Sequence, residues 1–103
     1  MIKTKKFDML NYLKTEKDVK EYLEVAFEMA SKENDLGYVT DAIGNIAKLK
    51  GMTEIAKKAG VSRENLYRSF SNKGNPELKT VMKIISSFGL RLSVNYDTTK
   101  KAR

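Results

Sequence analysis

Met52-Thr-Glu-Ile-Ala-Lys-Lys-Ala-Gly-Val-Ser-Arg-Glu-Asn-Leu-Tyr-Arg-Ser-Phe-Ser71 is the stretch whose spacing decides the fold. It reads as two short helices, about 53–59 and 63–70, parted by Gly60-Val61-Ser62, with Ser62 as N-cap of the second. Ala56 stands where the helices approach and a larger side chain would clash, and Gly60, four residues on, supplies the turn. Ile55, Ala59, Val61 and Leu66 fall on inward positions. Each of these residue types answers a steric need of two helices crossing steeply on a short connection. Ser69 departs from the pattern where Ile or Val is commoner, and Phe70 is placed to fill the gap.

Helical spacing continues on both sides. Thr15 and Asp18 resemble a capping box, and Val19, Tyr22, Leu23, Ala26, Phe27 and Ala30 recur at three- and four-residue steps, predicting a helix over 16–31. A second helix starts near Asp35, runs through Leu36, Val39, Ile43, Ile46 and Ala47, and stops at Gly51, which suits a left-handed cap. Asn75-Pro76 reads as a cap followed by the first helical residue. Leu78, Val81, Met82, Ile85 and Phe88 form the apolar face of this last helix, which ends at Gly89. Leu90, Leu92, Val94 and Tyr96 then alternate with Arg91, Ser93 and Asn95, the period of a half-buried strand.

The expected fold is therefore mainly α, five helices and one C-terminal β-strand. A lone strand leaves backbone groups to satisfy. Pairing with the same strand of a second copy gives a two-fold homodimer through Leu90, Leu92, Val94 and Tyr96. The alternatives are packing on the last helix or pairing with residues 5–10.

Composition bounds the chemistry. The 103 residues suit one domain, and folding would hide roughly 65% of the surface exposed by the unfolded chain. There is no histidine, cysteine or tryptophan, so imidazole bases, thiol nucleophiles and the usual zinc, copper and haem ligand sets are excluded, and no cofactor is expected. Twenty Lys+Arg face 13 Asp+Glu, and a net charge of +7 at 41% hydrophobic residues points to a folded chain with a polyanionic partner. Neither a signal-like apolar run nor a membrane span is visible, and cytoplasm is the default.

The 52–71 stretch fits the DNA-binding helix-turn-helix template, in which the second helix enters the major groove. Outward positions are Ser62, Arg63, Glu64, Tyr67, Arg68 and Ser71. Arg63 and Arg68 can donate in pairs to guanine, Asn65 can pair with adenine, and Glu64 can accept from cytosine. Asn72 and Lys73 are candidates for phosphate, as are the backbone N–H groups near Thr53. The plainer alternatives are that Glu64 offsets the helix dipole and that Tyr67 packs on the helix surface.

Beyond this stretch, a longer set of residues carries a resemblance. Lys14-Thr15-Glu16, Tyr22-Leu23, Ile43-Gly44-Asn45-Ile46-Ala47-Lys48, Gly51-Met52-Thr53, Ile55-Ala56, Gly60-Val61-Ser62-Arg63, Leu66-Tyr67, Gly74-Asn75-Pro76, Val81 and Gly89-Leu90 together resemble the addiction-module antidote family, HigA-type antitoxins with an Xre/Cro-like helix-turn-helix. The likeness covers roughly residues 7–96. It implies a bacterial or plasmid type II toxin–antitoxin operon, an antitoxin that silences a RelE/HigB-like mRNA-cleaving toxin, and a dimer that represses its own promoter at double-stranded operator DNA. The domain reading is an N-terminal arm at 1–14, partly flexible, a DNA-binding domain at 15–96, and a flexible tail at 97–103.

Residues 21–40 carry Glu21, Glu24, Glu28, Glu33 and Asp35 against one lysine, Lys32. Toxins of the family that the chain resembles are basic, so Glu21, Glu24 and Glu28 are assigned to toxin contact, with Lys3, Lys5 and Lys6 as the alternative. A solvated helix exterior is the plainer reading of the acidic face. A stand-alone phage-type repressor is the competing function. An enzyme is disfavoured because the carboxylates are scattered, and a membrane-bound helix is disfavoured because the best amphipathic helix has an acidic polar face.

Overall fold

The computed structural model describes residues 13–71 and 74–98. These form five helices: α1 (Glu16–Glu33), α2 (Gly37–Lys50), α3 (Met52–Ala59), α4 (Arg63–Ser69) and α5 (Leu78–Ser87). Helix α1 packs on α2, α2 on α3, and α3 in turn on both α4 and α5. Val39, Ile43, Ile46, Ile55, Leu66 and Ile84 are the largest fully buried side chains, so the core lies where α2 to α5 converge.

Local chemistry sets the helix ends. Thr15 Oγ1 accepts the Asp18 N–H at 3.1 Å, while Asp18 Oδ2 accepts the N–H groups of Thr15 and Lys14, each at 3.0 Å. The expected capping box is present, with Asp in the usual Glu position. These backbone bonds, the one from Thr15 first, hold the Asp18 carboxyl below its ordinary pKa. Helix α1 runs two residues past the expected 31 because Asn34 takes the left-handed cap conformation (φ 56°). Leu36 is the N-cap of α2 and offers no side-chain cap; just before it Asp35 Oδ1 accepts the Gly37 N–H at 2.9 Å in an Asx turn.

Gly51 closes α2 with a bond from its N–H to Ala47 O (2.8 Å), and its own carbonyl accepts from Ile55 N to open α3 (3.0 Å). Its φ of 105° and ψ of 111° lie outside the left-handed helical region expected there. Gly60 does occupy that region, at φ 72° and ψ 33°, and the Val61 N–H reaches back to Ala56 O at 3.0 Å. A side chain at Gly60 would strain this turn, which sets the direction in which α4 leaves α3.

Two expectations about α5 need correction. The helix begins at Leu78 with extended Glu77 as N-cap (ψ 152°), so Pro76 lies before the helix and Asn75 is not its cap. Its inward face is Val81, Ile84, Ile85 and Phe88, whereas Leu78 and Met82 are 66% and 50% exposed.

Residues 90–97 form no strand ladder in the single chain, and no other strand exists among the described residues to pair with them. Leu90 and Leu92 are half-buried and pack on the core, while Val94 and Tyr96 are almost fully exposed. No described helix is long and apolar enough to cross a membrane.

Candidate nucleic-acid interface

Helix α4 is held from beneath by apolar contacts and left open above. Leu66 (1% exposed) and Phe70 (6%) enter the core beside Ile55, Ala56 and Ala59 of α3. Val61, expected to face inward, is partly buried and packs against the same cluster. Phe70 is anchored against α2: a Cβ placed on Gly44 would stand 2.9 Å from the Phe70 carbonyl oxygen. Ser69, beside it, is half-buried.

Apart from half-buried Ser69, the rest of α4 faces out. Arg63, Glu64, Asn65, Tyr67 and Arg68 are all exposed, as are Ser62 and Thr53. Helical spacing sets Glu64 and Arg68 one turn apart opposite Leu66, with Arg63 and Tyr67 on one flank and Asn65 on the other. Ser62, Arg63, Glu64 and Tyr67 line a shallow surface cleft. Of the sequence-predicted residues, Ser62, Arg63, Glu64 and Tyr67 are therefore brought together, with Arg68 one turn beyond Glu64 and Asn65 on the other flank of α4. Asn72 and Lys73 lie outside the described residues.

Hydrogen bonding divides the roles. Ser62 Oγ accepts the Asn65 N–H at 3.0 Å, so Ser62 caps α4 and keeps its hydroxyl proton for a further acceptor. Ser71 Oγ donates to Arg68 O at 3.0 Å, which spends its proton within the protein. The Arg63 guanidinium lies over the Tyr67 ring, 5.5 Å from its centroid, and donates to the Tyr67 hydroxyl at 3.5 Å. Residue-by-residue reading of the sequence missed this pair, though the i,i+4 spacing of an arginine and a tyrosine was the signal for it.

The acidic residues sit elsewhere, on α1. Glu21, Glu24 and Glu28 are exposed. Lys20 Nζ donates to Glu24 Oε2 at 2.9 Å, and Lys17 Nζ lies 3.9 Å from Glu21 Oε2. The bond to Glu24 raises the Lys20 pKa. Two of the three carboxylates are thus offset one turn away, whereas Glu28 has no ion pair among the described residues. With Val25, which is 56% exposed, Glu21 and Glu28 share one helix face. Tyr22 points the other way, its hydroxyl accepting from Asn45 Nδ2 at 3.1 Å to tie α1 to α2.

The fold and this surface define a small helical protein with two arginines, a glutamate, an asparagine and a tyrosine exposed along one short helix. No group of three or more Asp or Glu able to hold a metal ion occurs among the described residues. A family model described as "Probable addiction module antidote protein" matches residues 3–96, and the chain belongs to that family. It is also similar to an uncharacterized protein of Haemophilus influenzae, 36% identical over 90 residues that cover 87% of this chain and 89% of the relative. No solved structure matches the chain. An antidote family implies a cognate toxin as partner and a regulatory rather than enzymatic role.

Proposed function

We propose that the protein is the antitoxin of a type II toxin–antitoxin module, which neutralises a RelE/HigB-like mRNA-cleaving toxin and represses its own promoter. In this reading α3 and α4 act as a helix-turn-helix within a domain spanning residues 15–96, and the protein works in the cytoplasm. The observation that carries the DNA half is the division of α4 into a buried side, Leu66 and Phe70, and an exposed side bearing Arg63, Glu64, Asn65, Tyr67 and Arg68. Two arginines and an asparagine projecting from one short helix match the donor pattern that reads guanine and adenine in the major groove. The α3–α4 stretch, residues 52–71, carries four basic residues against two acidic ones, which favours approach to phosphate. Thr53 and Lys73 are assigned to backbone phosphates, together with Asn72.

Toxin contact is assigned to the acidic face of α1. Glu28 and Val25 give that face a carboxylate without an ion pair among the described residues, beside exposed apolar surface, which suits a basic protein partner. Dimerisation is assigned to residues 90–96. Val94 and Tyr96, 95% and 97% exposed in the single chain, would gain cover, and the backbone of the segment would gain a ladder.

Expression together with the neighbouring reading frames tests the proposal. A toxic neighbour should be rendered harmless and should co-purify with this chain. If no neighbouring product is toxic or retained, the antitoxin reading fails, and a stand-alone repressor becomes the better account.

A further inference from the structure

Of the two arginines exposed on α4, Arg63 alone has an aromatic support among the described residues. Its guanidinium carbon is 5.5 Å from the Tyr67 ring centroid, and one of its N–H groups reaches the Tyr67 hydroxyl at 3.5 Å. Arg68, one residue beyond Tyr67 and also exposed, makes no such side-chain contact among the described residues. A guanidinium held over a ring by cation–π attraction spends no N–H donor on that contact. Arginine has about five N–H donors. Spending one on the Tyr67 hydroxyl leaves more than the two that a guanine O6/N7 pair requires.

Building on the assignment of α4 to DNA reading, we propose that Tyr67 is a positioning residue. It fixes the Arg63 guanidinium before DNA arrives, so that Arg63 delivers the stronger guanine discrimination and Arg68 the weaker. Ordering a long side chain at an interface costs free energy, and an arginine already held in place loses less of it on binding. Tyr67 therefore acts on the base pair that Arg63 reads and on no other. Its contribution needs the ring as well as the hydroxyl, since the ring lies beneath the guanidinium carbon while the hydroxyl accepts from one of its nitrogens.

The test uses duplexes selected by the full-length wild-type chain from a randomised library, followed by affinity measurements with each base substituted in turn. Tyr67→Leu should weaken guanine preference by about two- to fivefold, the range of an exposed cation–π contact, and only at the base pair that Arg63→Ala also relaxes. Tyr67→Phe, which keeps the ring, should fall between wild type and Tyr67→Leu. The double variant Arg63→Ala/Tyr67→Leu should be no worse than Arg63→Ala alone. Additive losses, an equal loss at all sequences, or a Tyr67→Leu effect at a different base pair would overturn the positioning role while leaving DNA reading intact. If the wild-type chain selected no sequence at all, the reading of α4 and this inference would fall together. Tyr67 is 43% exposed, so its replacement leaves the core in place, and unchanged thermal unfolding of the variants would establish this directly.

Discussion

Replacing Gly44 with alanine sets two effects of known sign against each other. Gly44 lies inside α2, where alanine in place of glycine stabilises a helix by about 1 kcal/mol. The same methyl would stand 2.9 Å from the carbonyl oxygen of Phe70 and 3.6 Å from its Cβ. The nearer atom is backbone at the end of α4 and cannot swing aside like a side-chain tip. To make room, α2 must move away or the α4 end must shift, and forcing an extra methyl into packed structure costs about 1–3 kcal/mol. The net expectation is a loss of up to about 2 kcal/mol, which for a chain of this length lowers Tm by roughly 4–8 °C per kcal/mol. Urea and thermal unfolding of Gly44→Ala measure this directly. A variant more stable than wild type by the propensity gain would refute the claim that Gly44 is small because α4 docks there.

The corrected face of α5 makes a paired prediction. Ile84→Ala should cost about 2–5 kcal/mol, because the residue is fully buried, whereas Met82→Ala at 50% exposure should cost far less; equal losses would put the face back where the sequence suggested. The depressed pKa of Asp18 makes the cap pH-dependent. Its contribution is complete above the unfolded value of about 3.9 and fades as pH falls through the lower folded value. Asp18→Asn should therefore unfold below wild type at neutral pH, and the gap should close on acidification; a gap constant with pH would count against the capping bonds. Charge reversal at Glu28 should weaken capture of the toxin more than reversal at Glu24, whose charge is already met by Lys20. Val94→Asp should yield monomers by light scattering without loss of fold, since Val94 touches little of its own chain. A persistent dimer would move the interface away from 90–96.

How far the sequence could be read depended on whether local sterics or tertiary packing made the choice. The α3–α4 pair was legible because Ala56, Gly60 and Ser62 each satisfy a requirement that few residue types meet. The Thr15 and Asp18 cap was legible for the same reason. The face of α5 was not. Leu78, Val81, Met82 and Ile85 repeat at the same three- and four-residue steps as Val81, Ile84, Ile85 and Phe88, so periodicity admits both stripes. Packing against α3 selects the second. The start of α5 was misplaced because a proline is tolerated in a first turn without requiring that the helix begin there. Residues 90–96 have strand periodicity, yet a ladder also needs a partner strand, and the sequence of one chain does not specify where that lies. At the candidate site, residue types pointed to the exposed face of α4, but the support of Arg63 by Tyr67 is a matter of geometry and emerged only with the side chains in place.

The most direct test of the account is the affinity of the full-length protein for the DNA upstream of its own gene, measured against a scrambled duplex at fixed salt. Binding to the upstream DNA should be tight and sequence-selective. Arg63→Ala and Arg68→Ala should each cost about 1–3 kcal/mol there, and little on the scrambled duplex beyond the loss of one charge. Equal affinity for both duplexes, or selective binding that neither arginine variant alters, would contradict the assignment of α4 as the reading helix.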